Sequence, residues 1–251
     1  MAISFSIITV CFNNAGTIKD ALQSVASQSW SNWEHIIVDG ASRDTTTQIV
    51  APFKSEKTTF ISEPDKGIYD AMNKGIARAK GDVICFLNAD DFYASPNVLE
   101  GVAQMMSKSD LDAVLGDVLF FHADNLSKTV RRYDSGQFSP SRLAYGWMPA
   151  HPGMFIRREI YERVGNFRTD YQIAADYEWI VRAFHDTQIK YRHFPEVLVR
   201  MRTGGASTKG LRSTLVLNKE ILRACRENGI STNIFKLMTK IPRKLLELVI
   251  K

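Results

Sequence analysis

This 251-residue sequence predicts an α/β fold built on a doubly wound, mostly parallel sheet with a helical tail behind it. Three observations carry that prediction. Short apolar runs of strand length alternate with helix-periodic segments across residues 5–91. Each of those runs ends abruptly in polar residues. The basic charge is gathered at one end: from Lys209 onward ten Lys or Arg face three Glu, a balance of +7 in a chain of net charge +5, which leaves residues 1–208 at −2.

Phe5–Cys11 is a buried strand, and Phe12-Asn13-Asn14-Ala15-Gly16 the turn after it. Ile18, Leu22 and Val25 make one apolar stripe on a helix over 17–27, with Thr17 placed to cap it. His35–Val38 is the second strand, and it runs into Asp39-Gly40-Ala41-Ser42-Arg43-Asp44 before a helix near Thr45. Asp44 reads as the cap of that helix. Thr59–Ser62 is a weaker third strand. Glu63-Pro64-Asp65-Lys66-Gly67 is turn chemistry leading into a helix over 68–79.

The chain is organised around Gly81–Tyr93. Val83–Leu87 is continuously apolar, as a strand covered on both faces must be, and Asn88, Asp90 and Asp91 follow it. Adjacent carboxylates repel unless something neutralises them, so at a sheet edge they point to a hard divalent cation, Mg2+ or Mn2+; a solvated turn is the plain alternative. Strand, helix, strand in this order gives parallel βαβ units, whose ligands lie beyond the carboxyl ends of the strands.

The second half is less regular. A helix is expected over 96–108, strands over 113–121 and 129–133, and a loop over 135–152 of the length that active-site loops have. A strand over 153–157, a short helix over 159–164 and a firmer one over 174–185 follow, then two closing strands, 189–194 and 197–201. Helices over 211–228 and 233–250 end the chain. Cys11, Cys85 and Cys225 are too scattered for a disulfide framework or a zinc site and read as reduced, buried thiols. No apolar run approaches the roughly 18 residues of a membrane span, and no secretory signal opens the chain, so a cytoplasmic protein is expected.

Taken together, these clusters resemble the inverting, GT-A-fold glycosyltransferases of family 2. Ser6–Asn13 is similar to that family's opening strand and turn, Val38–Thr45 to its Val-Asp-Asp-Gly-Ser-x-Asp-x-Thr segment, and Leu87–Asp91 to its Asp-x-Asp motif. Glu63–Ala77 resembles the branch found in bacterial O-antigen and exopolysaccharide assembly. Gly165–Arg168 with Ala174–Arg182 resembles the catalytic-base segment. Gly40 stands where the family has a second Asp, and Asn88 where it has the first Asp of Asp-x-Asp.

The resemblance implies a GT-A-type mixed sheet, with a glycosyltransferase domain over 1–208 and a basic helical tail over 209–251. Residues 1–92 form its nucleotide-sugar-binding half and 93–208 its acceptor-binding half. It implies a metal-dependent transfer of a hexose from a nucleotide sugar, UDP-linked, to a lipid-linked glycan in O-antigen-type polysaccharide biosynthesis. Asp176 is then the catalytic base. Phe12, Asn13, Asp39, Asp65 and Asp90 contact the nucleotide, and Asp90 and Asp91 hold Mn2+ or Mg2+. His151, Trp147 and Arg202 serve the acceptor or a closing loop at Gly204-Gly205, where Arg200 is a second candidate. Tyr145 and Trp179 are further candidates for an aromatic acceptor cleft, with core packing as the alternative.

The tail, rich in cations and apolar residues from Phe235 to Lys251, reads as a peripheral contact with the inner face of the cytoplasmic membrane, the alternatives being packing on the domain or on a second copy of the chain. Nucleic acid is not an expected partner. The rival functions are a sugar-1-phosphate nucleotidylyltransferase, whose glycine-rich phosphate loop is missing, and a non-catalytic glycan-binding or assembly protein.

Overall fold

The computed structural model describes residues 2–123, 125–185, 188–204 and 211–239. Its strands are β1 (Phe5–Cys11), β2 (Trp33–Asp39), β3 (Thr58–Ser62), β4 (Val83–Phe86), β5 (Phe92–Tyr93), β6 (Ala113–His122), β7 (Asn125–Tyr133), β8 (Met154–Arg157) and β9 (Tyr191–Arg202). The helices are α1 (Ile18–Ala26), α2 (Thr46–Val50), α3 (Ile68–Ile76), α4 (Val98–Lys108), α5 (Arg158–Val164), α6 (Ala175–His185), α7 (Leu211–Glu227) and α8 (Ile234–Met238).

All the strands share one sheet in the order β3-β2-β1-β4-β8-β6-β9-β5, with β7 paired to β6. The first four in that order run parallel. Because β2 and β3 lie on one side of β1 and β4 on the other, the chain reverses its direction of winding between β1 and β4. A crevice opens at the carboxyl ends there. Phe12 leaves β1 on one lip of it, and Asn88–Asp91 leave β4 on the other.

β8 is antiparallel to both β4 and β6 and joins the parallel half to the rest. Its approach is close. A Cβ on Gly153 would stand 2.6 Å from the carbonyl oxygen of Gly116 on β6, so this crossing accepts only glycine. One apolar core, holding Tyr161, Phe167, Trp179 and Phe184, lies under α3, α5, α6 and α7 on one face of the sheet. A second, with Phe5, Leu99, Val102 and Phe155, lies against α1 and α4 on the other. The three cysteines are free and buried, as expected.

Several local expectations need correction. The two closing strands are one, β9, continuous through Pro195 because its register against β6 shifts between Gly116 and Asp117; a bulge absorbs a residue that has no N–H to give. β5, two residues long, is too short for periodicity to register. Thr17 occupies the cap position of α1, but its side chain does not cap. Asp44 lies one residue ahead of the cap position of α2, Thr45, and accepts the Thr46 N–H at 2.9 Å. Trp179 is fully buried and donates to the Gly165 carbonyl at 2.8 Å, so it is core, not cleft.

The tail begins on the domain. Ile221, Ala224 and Cys225 of α7 are buried in the core shared with α6, and Leu237 of α8 is buried while Phe235 and Met238 are exposed. The Gly205–Ser207 part of the glycine-bearing loop and residues 240–251 of the basic helix lie outside the described residues. Among the described residues, no helix is long and apolar enough to cross a membrane.

Candidate active site

The turn after β2 is fixed from within. Asp39 is fully buried, and its carboxylate accepts the Ser42 N–H (3.0 Å), the Ser42 hydroxyl and the Ser62 hydroxyl (2.6 Å). Asn13 sits at φ 55° and its side-chain oxygen accepts the Arg43 N–H at 2.8 Å, tying the β1 turn to the β2 turn. Ala41 is held at φ 59°, which costs an L-residue about 1 kcal/mol or more and persists only because these bonds over-determine the loop.

Gly40 is explained by its neighbours. A Cβ there would meet the Asp65 carboxylate at 2.4 Å and the Phe12 ring at 3.4 Å, so Asp65 occupies the space that a side chain at position 40 would need. Asp65 is set in place by the Gly67 N–H, which it accepts at 2.8 Å. Phe12 beside it is 56% exposed, an aromatic face left bare at the crevice.

On the other lip Asp91 is buried, and one of its oxygens accepts from the Asn88 side chain at 3.2 Å. Its other oxygen, and the side-chain oxygen of Asn88, are buried without a protein partner. Burial first, and the Asp90 carboxylate second, push the Asp91 pKa well above the usual range. Such an orphaned all-oxygen donor set fits a hard divalent cation. Arg202, at the end of β9, pairs with Asp20 of α1 and lies over the rings of Phe92 and Phe121.

Across the crevice, Asp176 opens α6. Its carboxylate lies 3.2 Å from the Tyr69 hydroxyl, which also donates to the Ile173 carbonyl at 2.5 Å. Burial pushes the Asp176 pKa up to about 6, with help from the charge of Glu220. Glu220 on α7 accepts the N–H groups of Gln172 (2.7 Å), Ile173 and Ala174 (2.9 Å each), the three residues of loop just ahead of Ala175 and Asp176. His151, stacked on Phe86 at 5.0 Å, is buried, and burial lowers its pKa to about 4, so its imidazole is neutral with an unpartnered Nε2.

Phe12, Asp65, Asp90, Asp91, Trp147, His151, Asp176 and Arg202 all line one cavity of about 630 Å³. Asp39 and Asn13 do not: their polar atoms hold the turns that aim Phe12 and Asp65. The sequence reading missed Tyr69 and Glu220. Tyr69 sits inside a segment already singled out. Glu220 carried no local signal, since its partners are more than forty residues away.

A separate group, Asp117, Asp134 and His193, has ligand atoms within 4.8 Å of one another. None of the three lines the cavity. Asp117 is already neutralised by Arg132 (2.6 Å) and accepts the Ser135 N–H, so the group is an ion-pair network that a metal would have to break.

The model of the family described as Glycosyl transferase family 2 matches residues 6–165. The chain belongs to that family, and it is a glycosyltransferase. The PGL/p-HBAD biosynthesis glycosyltransferase of Mycobacterium bovis (strain BCG / Pasteur 1173P2) is 31% identical over 223 residues, 87% of this chain and 82% of that one. Among solved structures, S. aureus TarS 1-349 in complex with UDP-GlcNAc superposes with a TM-score of 0.70 at 17% identity, over 88% of this chain and 66% of that one. The mannosyltransferase PcManGT from Pyrobaculum calidifontis, in complex with GDP-Man and Mn2+, gives 0.65 at 18% identity, over 88% and 62%. This glycosyltransferase thus spans about two thirds of each of these two solved chains. At such identities they establish its GT-A fold, and the resemblance read from the sequence holds at that level.

Proposed function

We propose that this glycosyltransferase is a divalent-metal-dependent, inverting enzyme that moves a hexose from a UDP-sugar to a hydroxyl of a lipid-linked glycan in bacterial surface polysaccharide assembly of the O-antigen type. The observation that carries the reading is a carboxylate with a raised pKa, Asp176, sharing one cavity with the part-orphaned group Asn88–Asp91 on the opposite lip. The solved neighbours bound to UDP-GlcNAc and to GDP-Man with Mn2+ support it.

The Phe12 ring stacks on the nucleobase, and Asp65 beside it accepts the imide N–H of that base. Asp90, Asp91 and the Asn88 side-chain oxygen hold Mn2+ or Mg2+, which when bound neutralises the diphosphate as it leaves. Asp176 takes the proton of the acceptor hydroxyl as its oxygen bonds to the anomeric carbon; the carbon–oxygen bond to the diphosphate breaks on the opposite face, and the pair of electrons leaves with UDP. A single displacement inverts the centre. The basic tail keeps the enzyme on the inner face of the cytoplasmic membrane, where a lipid-linked acceptor resides.

The test is a thermal-shift screen of UDP-, GDP- and dTDP-sugars with and without Mn2+, followed by UDP release from the best donor. A rise in Tm only with a UDP-sugar plus Mn2+ is expected, and no rise with any nucleotide sugar overturns the reading. For the tail, removing residues 233–251 is expected to shift the protein from the membrane to the soluble fraction; unchanged partitioning rejects the membrane contact.

A further inference from the structure

Apart from Gln172, Arg131 and His151, the wall on the Asp176 side of the cavity presents few polar side chains to a sugar. Tyr69, Tyr133 and Tyr177 all line it, yet each hydroxyl is engaged by a main-chain carbonyl of the protein: Tyr69 by Ile173 (2.5 Å), Tyr133 by Met148 (2.6 Å) and Tyr177 by Leu143. Their rings are what remains for a ligand. The loop ahead of Asp176 adds Ile173 to this wall, and α7 adds Leu217 and Ile221. A sugar hydroxyl set against carbon loses its water without gaining a partner, so such a wall selects against the distal end of a glycan and in favour of alkyl or aromatic surface.

We infer that the acceptor carries its receiving hydroxyl next to an apolar group, an alkyl chain or aromatic ring, that packs on Ile173, Leu217 and Ile221. The enzyme then acts on the first or second sugar from an apolar anchor rather than on a long glycan. The reaction that supplies its substrate is one that attaches at most one or two sugars to such an anchor. This deepens the proposed function and rests on its placement of the acceptor at Asp176. The position of α7 supplies the physical reason: Glu220 fastens the loop bearing Ile173, and the same helix presents Leu217, about one turn before it, and Ile221, the next residue.

The test uses the full-length protein and calorimetric titration of methyl, hexyl and phenyl β-D-glucosides below their micellar concentrations and of maltotriose, each with and without UDP and Mn2+. Hexyl or phenyl glucoside is expected to bind at least tenfold tighter than methyl glucoside or maltotriose, and the gap is expected to shrink below threefold in Leu217→Gln. Ile173→Thr, a smaller change on the loop side of the same wall, is expected to narrow it as well. Equal affinities for the three glucosides, tighter binding of maltotriose, or a gap that neither variant moves would overturn the inference. UDP affinity is read in parallel: absent UDP binding with the gap intact defeats the donor assignment and leaves the acceptor assignment standing.

Discussion

The two walls of the cleft are built by different means. The wall proposed for the donor takes Phe12, Asp65 and Asn88–Asp91 from beyond the carboxyl ends of the parallel strands β1, β3 and β4, so strand order alone brings them together. The wall proposed for the acceptor takes Tyr133 from the end of β7, Trp147 from a loop, Asp176 from α6 and Ile221 from α7, and only tertiary packing unites them. The first wall is polar, with a carboxylate group short of partners. The second is largely carbon around one carboxylate. On the proposed function, a constant nucleotide would be met by the part that topology fixes, and a variable acceptor by the part that loops and a tail helix can remodel.

The contrast predicts where each substitution will be felt. The largest effect belongs to Asp176→Asn, which should lower kcat by about 10³-fold while leaving the donor-induced Tm rise in place. Loss of that rise as well would show that the two walls are not separable. Next comes Asp91→Asn on the donor wall. Because burial and Asp90 disfavour its charge, the neutral amide should raise the Tm of the metal-free protein and cancel the stabilisation that Mn2+ gives. A variant whose Tm still responds to Mn2+ with a UDP-sugar would move the cation elsewhere.

Acidity divides the walls again. Asp176 accepts a proton only when ionised, so kcat/KM should fall tenfold per unit below about pH 6 and level off above it. The same raised pKa has the opposite sign for stability. A group whose folded value exceeds its unfolded value stabilises fully below the unfolded one, near 3.8, and that contribution is lost as pH rises through about 6. Asp176→Asn should therefore be the more stable protein above pH 6, by up to about 3 kcal/mol, in urea melts at pH 5 and pH 7.5.

Much of the donor wall was legible because a polar cluster at the end of an apolar run is a local signal. Asp90 and Asp91 could be placed on a strand end from Val83–Leu87 alone. Asp39 was harder: an acid in a turn gives no sign in the sequence of the Ser42 and Ser62 groups whose hydrogen bonds it accepts. On the acceptor wall Asp176 was read from its segment, and Trp147 and His151 from an aromatic loop. Tyr69 and Leu217 look like ordinary helix residues until tertiary packing sets them at one cavity. Gly40 looked like a loss beside the family pattern, until the structure filled its space with Asp65.

Two smaller predictions sharpen that reading. Gly40→Ala should displace the tip of Asp65 rather than disrupt the core, weakening UDP-sugar binding about tenfold with little change in Tm; a large fall in Tm would mean that the turn itself had failed. Glu220→Gln keeps the shape but removes a charge that raises the Asp176 pKa. The acid limb of the pH profile should move below about 6, with a modest loss of kcat from a less well held loop.

The antiparallel β8, hydrogen-bonded on both edges, acts as a splice between the substrate walls. The sheet therefore runs unbroken from the Asn88–Asp91 lip to the strands beyond β8, and on the proposed function the spacing between cation and base is set largely by the fold. Adaptation to different substrates then falls to side chains and to loops outside the pleated framework.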